Sequence, residues 1–443
     1  MEQRGSLTKG RVLPTLLRFS LPFLLANVLQ ALYSAADLMI VGHYAASQGV
    51  SAVATGSQVM QTVTSLFIGL CTGSTVLTGQ WYGAGDKPRL RRAVSTTLRL
   101  YGALGASVSS LLYVLSGPMC VWMRAPAEAS PDTQAYLSIC AIGLVFVVGY
   151  NALASLLRGL GDSKTPFVFV AVACGANVAG DLFLVGHCAL GARGAALATA
   201  GAQALSCIAM ALYMLKKGFF RRYAKARWHS GQARSMLSVG LPVAAQEALV
   251  NAMGLTASAA VGVVEKLIVF TMLPTTAFAS AIAAMAAQQR GAGLPERAWA
   301  CLRGGIGLSL VFGLCCYALC QLCPEALIGL FTTDADVVRV AAVYLRSYSV
   351  DCVVVCFVFC CNSFCSAMGH ATFPLVHSFL TTCLIRLPLS SLFSRPPYRS
   401  MALVGLAAPL ASLCSLALCF AFLNHLHRRA QRVPWPRFAS GRL

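Results

Sequence analysis

The chain has 443 residues, of which 57% are hydrophobic and 11% charged, with a formal net charge of +20 and a mean hydropathy of +0.71. A soluble protein carries about twice that charged fraction, so a soluble globular class is excluded and a polytopic helical membrane protein is indicated. The positive charge does not point to nucleic acid, because the basic residues sit in short loops between apolar runs and form no continuous patch or nucleic-acid motif.

The N-terminus is short and basic (Arg4, Lys9, Arg11, Arg18), and the apolar run behind it is longer than a leader's apolar region. The first helix itself is therefore expected to direct insertion. Twelve apolar spans follow, at about 14–41, 50–79, 93–116, 133–157, 165–187, 191–215, 235–251, 256–289, 299–321, 339–366, 372–394 and 401–425. Sorting the Lys and Arg residues by alternate loops gives 26 on the side of the N-terminus and 6 on the other, which places both termini in the cytoplasm. Lys266 and Arg386 lie inside spans.

The chain repeats itself. Gln80-x-x-Gly83-Ala84-Gly85 recurs as Gln288-x-x-Gly291-Ala292-Gly293, Tyr136-Leu137 as Tyr344-Leu345, and Leu160-Gly161 with Pro166 as Met368-Gly369 with Pro374, all displaced by 208. Three coincidences at one offset indicate duplication, and six spans per unit give two halves of parallel topology with a pathway between them. The boundary is expected near residue 218, with an N-terminal lobe over 1–218 and a C-terminal lobe over 219–443. Leu21-Pro22 and Leu241-Pro242 are displaced by 220 instead, so the second half has lost twelve residues around its first hairpin. Its first helix is expected to be unusually short, about 25 Å over Ser235 to Asn251.

Asp37 stands in the first span, and a carboxylate at membrane depth costs on the order of 3 kcal/mol, so such residues usually mark ion or proton pathways. Asn177 and Asp181 are four apart in an apolar span and share a helical face. Two acids brought together in such surroundings can hold one shared proton. With Asn177 and Thr199 they can instead offer oxygens to a small hard cation such as Na⁺. The alternative is that each acid is a packed polar group bonded to a neighbouring helix. Asymmetry favours function: the counterparts of Asp37, Asn177, Asp181 and Thr199 in the second half are Ala257, Ile385, Leu389 and Ala407. Pro22 removes a backbone hydrogen bond inside the first helix and bends it, as a hinge or as a static kink.

The remaining polar residues are less specific. Glu247 lies mid-span in the seventh helix. Glu265 and Lys266 are adjacent and face different directions, while Asp351 and Arg386 are candidates for an ion pair across the tenth and eleventh spans. Most of the 19 cysteines lie within apolar runs and pack as small hydrophobes. Cys320-x-x-Cys323 has no second pair, so no metal or redox site is indicated, and His370 and His377 are read as interfacial or packed. No Gly-Lys-Ser/Thr follows the glycine loops, so ATP is not expected. They are read as cytoplasmic turns, with Asp86 or Asp162 capping a helix.

Leu32-Tyr33-x-x-x-Asp37-x-x-x-Val41-Gly42, Gln80-Trp81-Tyr82-Gly83-Ala84-Gly85-Asp86, Leu157-Arg158-Gly159-Leu160-Gly161-Asp162-Ser163-Lys164-Thr165-Pro166 and Gly194-Ala195-Ala196-Leu197-Ala198-Thr199 together resemble the multidrug and toxic compound extrusion (MATE) family, in its prokaryotic DinF-like branch. The resemblance runs from about residue 10 to 425. It implies an all-α integral membrane fold of twelve helices in two six-helix bundles set as a V. It also implies secondary antiport, with amphipathic, often cationic compounds expelled as H⁺ or Na⁺ enters. On the resemblance, the coupling site is Asp37, Asn177, Asp181 and Thr199, with Pro22 the bending proline. Gln30, Tyr33, Asn151, Glu265 and Lys266 are candidates for the substrate cavity. No cofactor, ATP or nucleic acid is expected, and no metal beyond Na⁺ at the coupling site. A monomer in the inner (plasma) membrane, with both termini cytoplasmic, follows. The competing expectations are a lipid-linked saccharide flippase of the same superfamily and a paralogue that has lost transport through the twelve-residue deficit. An enzyme is not expected, since no nucleophile–base pair is visible.

Overall fold

The computed structural model of the chain describes residues 7–45, 47–123, 128–224, 226, 228–253, 259–331, 334–394 and 400–432. Within the helices, the side chains at 47, 246–253, 259–263, 265–266 and 429–432 are not described. The first repeat comprises α1 (Val12–Tyr44), α2 (Ser47–Gly83), α3 (Lys87–Trp122), α4 (Ser130–Gly159), α5 (Lys164–Asp181), a π-helical segment (Leu182–His187) and α6 (Gly191–Lys216). After a short α7 (Phe219–Tyr223) come α8 (Ser230–Met253), α9 (Ala259–Gly291), α10 (Pro295–Leu322), α11 (Pro324–Gly329), α12 (Ala335–Tyr348) and α13 (Asp351–Ala367). The chain closes with α14 (Thr372–Thr381), a second π-helical segment (Thr382–Arg386), α15 (Leu387–Phe393) and α16 (Met401–Arg432).

Among the described residues ten helices are long and apolar enough to cross a membrane, and the pair α12–α13, bent by 46°, is an eleventh if taken as one span. From the sequence that span is expected to be continuous over 339–366. The break at Ser349 has a physical cause: Gln321 Nε2 donates to the carbonyl of Arg346 at 2.8 Å and to Ser349 Oγ at 2.9 Å. A side chain thereby enters the helical ladder. α8 corresponds to the span expected to be short. It runs 24 residues against the 33 of α1, extending the expected stretch by a polar turn at its start, and it is not among those ten helices. Part of its hairpin, 254–258, lies outside the described residues.

The duplication is written into the backbone. Gly85 (φ +72°) and Gly293 (φ +68°) both adopt the left-handed region, as do Gly161 (φ +89°) and Gly369 (φ +78°), where a Cβ would be strained. Each turn is followed by a helix start. Asp86 Oδ1 accepts from the Arg89 amide at 2.9 Å. Asp162 accepts from the amides of Lys164 and Thr165 and from the Thr165 hydroxyl. Both aspartates therefore cap helices, as expected.

The chain forms two compact units. One comprises Leu25–Tyr82 and Asp86–Leu237; the other comprises the segment ending at Leu24, Gly83–Gly85 and the chain from Ser238 onward. This division differs from a linear boundary at residue 218, because each repeat's first helix starts in the unit of the other repeat. In the second unit the amide of Leu7 donates to Gln288 Oε1 at 3.0 Å, Gln289 Nε2 donates to the Leu7 carbonyl at 3.4 Å, and Arg297 Nη2 donates to the Gly10 carbonyl at 2.8 Å. Leu16 is fully buried there, beside Gly305 and Ile282. In the first unit Trp81 Nε1 donates to Gln232 Oε1 at 3.3 Å and Thr97 Oγ1 donates to Met236 Sδ at 3.5 Å, which holds the start of α8. The helices of the first unit approach closely through small residues. A Cβ added at Gly143 would come within 2.8 Å of Ala200 Cβ, and one at Gly180 within 3.0 Å of Ala198 Cβ, a packing typical of membrane helices.

Candidate functional site

The four residues singled out as a coupling site come together in the first unit, carried by α1, α5 and α6. Asp37, Asn177 and Asp181 are 8%, 2% and 0% exposed, so none is hydrated by bulk solvent. Asn177 Nδ2 donates to Thr199 Oγ1 at 3.3 Å, which links α5 to α6. The carboxyls of Asp37 and Asp181 face each other within hydrogen-bonding contact. As two carboxylates they have no donor between them. Asp37 Oδ1, both oxygens of Asp181 and Asn177 Oδ1 are buried without a hydrogen-bond partner. A buried polar atom left in this condition carries its full desolvation cost, about 1–3 kcal/mol and more for a charge. Apart from the Asn177–Thr199 bond, the cluster is thus a set of converging acceptor oxygens with no donor bonded to them, a chemistry that suits a proton or a small hard cation. Among the described residues no group of three or more His, Cys, Asp and Glu side chains has the arrangement to hold a metal ion, and the donor set here contains no sulfur or imidazole.

Local structure aims these groups. Asp181 ends the α-helical part of α5, and the π-helical segment Leu182–His187 begins at the next residue. There Cys188 N bonds back to the Phe183 carbonyl at 2.9 Å. One-turn π segments recur at functional sites because the extra residue re-aims side chains and frees backbone carbonyls. Tyr33 lies one turn before Asp37, in electrostatic contact with it, and its hydroxyl is in hydrogen-bonding contact with Ser34 and Gln203. Tyr136 of α4 is buried, close to Asp37, Tyr33 and Cys140, and Gly56 of α2 leaves the space its ring fills. In the sequence Tyr136 stands out only as a marker of the duplication. The signal that could have found it is its Cys140 neighbour one turn on, which puts two titratable groups on one face of an apolar helix.

The expected cavity residues are less convergent. Gln30, Tyr33 and Asp37 fall at spacings of three and four on one face of α1. Asn151 is half-buried and donates to the Val147 carbonyl of its own helix at 2.8 Å. Glu265 and Lys266 lie on α9, and Glu247 on α8, with side chains outside the described residues. Pro22 lies within α1, two residues before the point at which that helix passes from one unit to the other. In the second unit Asp351 is 4% exposed, within hydrogen-bonding contact of Ser412 and electrostatic reach of Arg386.

The second unit has its own buried polar cluster, in a different place. His377 of α14 bonds Asn362 Oδ1 at 2.9 Å and Ser415 Oγ at 2.8 Å, with Cys419 Sγ 3.6 Å from its Nε2. A neutral imidazole satisfies both contacts, donating to the amide oxygen and accepting from the hydroxyl, so His377 is packed, as the sequence suggested, and it ties α13, α14 and α16 together. Replacing His377 with Phe is expected to lower stability by about 1–2 kcal/mol, read as a fall in thermal midpoint in detergent. Ser415→Ala should cost less, since it removes a single bond.

Paired repeats of membrane helices with buried polar groups in one lobe are the plan of a membrane transporter. The family model MatE matches residues 22–183 and 244–392, and the chain belongs to that family. It is 26% identical over 435 residues to the probable multidrug resistance protein YpnP of Bacillus subtilis (strain 168), covering 95% of this chain and 96% of that one. It is 24% identical over 444 residues to the probable multidrug resistance protein NorM of Thermotoga maritima, covering 94% and 93%. A solved structure described as the outward-facing conformation of a multidrug resistance MATE family transporter of the MOP superfamily superposes with a TM-score of 0.90 at 19% identity, over 97% of this chain and 99% of that one. The fold is therefore that of the MATE transporters.

Proposed function

We propose that this chain is an efflux antiporter of the plasma membrane, with both termini cytoplasmic, which expels amphipathic, often cationic small molecules in exchange for H⁺ or Na⁺. The observation that carries the coupling half is the set of buried acceptor oxygens on Asp37, Asn177 and Asp181 with no donor bonded to them. A proton or Na⁺ supplies what the cluster lacks, and its loading neutralises charge inside the first unit. A ligand shifts a conformational equilibrium only through its differential affinity for the two states, so the state that has released substrate is the one in which loading is favoured. No ATP is consumed, and the chain works as a monomer. The names of the relatives support the multidrug half.

The flippase reading requires a strongly cationic cavity for a pyrophosphate headgroup, and Lys266 and Arg386 are the only Lys or Arg residues more than seven residues from an end of the expected spans. The loss-of-transport reading rested on a first helix of the second half too short to span. α8 runs 24 residues against the 33 of α1, and efflux by the purified chain would eliminate this reading.

The test is efflux of a dye panel from vesicles holding the purified chain, under an imposed pH gradient without Na⁺ and an imposed Na⁺ gradient at constant pH. One gradient should drive uphill movement. Movement under neither would overturn antiport. Thr199→Ala, which removes one oxygen and the partner of Asn177, is expected to slow gradient-driven efflux by about tenfold, equivalent to ~1.4 kcal/mol, without abolishing it.

A further inference from the structure

The geometry points to a binding surface for anionic phospholipid headgroups on the first unit, formed by the start of α3 and the linker that follows α6. The stretches 87–99 and 216–234 hold twelve of the chain's 34 Lys and Arg residues and not one Asp or Glu. The acid just before them, Asp86, is already engaged by Arg89 at 3.4 Å. The matching stretches of the second repeat, 295–307 and 424–442, together have seven Arg and one Glu, so the first repeat carries the larger and wholly unopposed share.

The fold turns these two stretches into one face. Ser95 Oγ donates to the Ala226 carbonyl at 2.6 Å, and Arg99 Nη2 donates to the same carbonyl at 3.2 Å. Trp81 bonds Gln232 further along the linker, and α7 packs on both α3 and α6 through buried Phe219. Arg99 is about 18 Å along α3 from Lys87. The linker therefore lies against the side of that helix rather than beyond its end. Arg91, Arg92, Lys216, Arg221, Arg222 and Arg234 are exposed, and none has a carboxylate partner among the described residues. Trp228 is 46% exposed in the same linker, and an aromatic beside unneutralised cations is the chemistry of the membrane–water interface. Clusters of Lys and Arg next to a spanning helix attract anionic lipid. This reading does not depend on what the chain transports.

The test uses the full chain in phosphatidylcholine vesicles with phosphatidylglycerol, measuring energy transfer from tryptophan to trace dansyl-phosphatidylglycerol or dansyl-phosphatidylcholine. Transfer to the anionic probe should exceed transfer to the neutral one about threefold. Combining Arg91→Gln, Arg92→Gln, Arg221→Gln and Arg222→Gln should bring the ratio close to one. Arg339→Gln with Arg346→Gln, whose residues pair with Asp336 and Glu325 instead, should leave it unchanged. A ratio unaltered in the fourfold variant, or lost equally in the twofold one, overturns the proposal. Should the fourfold variant not fold, the unmodified chain decides: the excess must collapse in high salt and return on dilution, and persistence overturns it. Displacement of the anionic probe by millimolar inorganic phosphate would also overturn it, since the site would then be one for free phosphate.

Discussion

Asp37→Asn is expected to give a protein that folds and inserts normally and fails to transport against a gradient. Asparagine is nearly isosteric with aspartate and brings two donors to a cluster that has none to spare, so the buried Asp181 oxygens gain a partner and the first unit loses no stability. What disappears is the change in charge on loading. Moving a two-state equilibrium from 1:99 to 99:1 takes about 5.5 kcal/mol of differential binding, and the single remaining carboxylate of Asp181, already bonded by the new amide, cannot supply it. Uphill efflux should fall by at least about 100-fold, while equilibrium binding of the same compound in detergent changes by no more than about threefold. Asp181→Asn should behave alike, and the double variant should be no worse than either, because the two carboxyls act as one unit. Normal efflux by Asp37→Asn would sink the coupling assignment. Loss of both efflux and folded protein would instead show the pair to be a packing element.

The second large effect concerns folding alone. A Cβ added at Gly313 of α10 would lie 2.5 Å from Cys356 Sγ and 2.7 Å from the Cys352 carbonyl of α13. Neither can give way easily. Cys356 is engaged with the Ser309 and Cys352 carbonyls at 3.3 and 3.0 Å and with Thr275 Oγ1 at 3.5 Å, and the other atom is backbone. Gly313→Val should therefore cost at least about 3 kcal/mol, seen as a sharp drop in thermal midpoint and in monodisperse yield. Gly307→Ala on the same helix, where a Cβ would meet nothing within 4 Å, should be neutral. Equal tolerance at both positions would mean that α10 and α13 are not held this closely.

Much of the site was legible in the sequence because charge is so costly in lipid that few residues carry it. Asp37 and Asp181 stand out in apolar runs, and their second-half counterparts, Ala257 at an offset of 220 and Leu389 at 208, are apolar. The same offset is visible in the backbone at Gly85 and Gly293. What the sequence concealed depends on contacts that cross large separations. Gln321 breaks the tenth span from a neighbouring helix, and nothing within α12 or α13 signals it. Tyr136 joins the acidic cluster only because Gly56 of α2 leaves room. His377, read as packed, is so through three partners on two other helices, at separations of 15 to 42 residues. The boundary near residue 218 follows chain order, whereas the contacts follow the exchange of helix starts.

That exchange has a consequence for how the protein is made. The segment from Leu7 to Leu16 finds its partners at Gln288, Gln289, Arg297 and Gly305, almost 300 residues later in synthesis. At 5–20 residues per second the ribosome takes roughly 15–60 s to reach them. Throughout that interval the first half of the protein sits in the bilayer with its own leading turns unpacked. A nascent chain halted before residue 282 should accordingly leave Leu16 open to a thiol-labelling probe, once it is replaced by Cys, and one released after residue 305 should not. Assembly of this transporter is in that sense closed by its oldest residues.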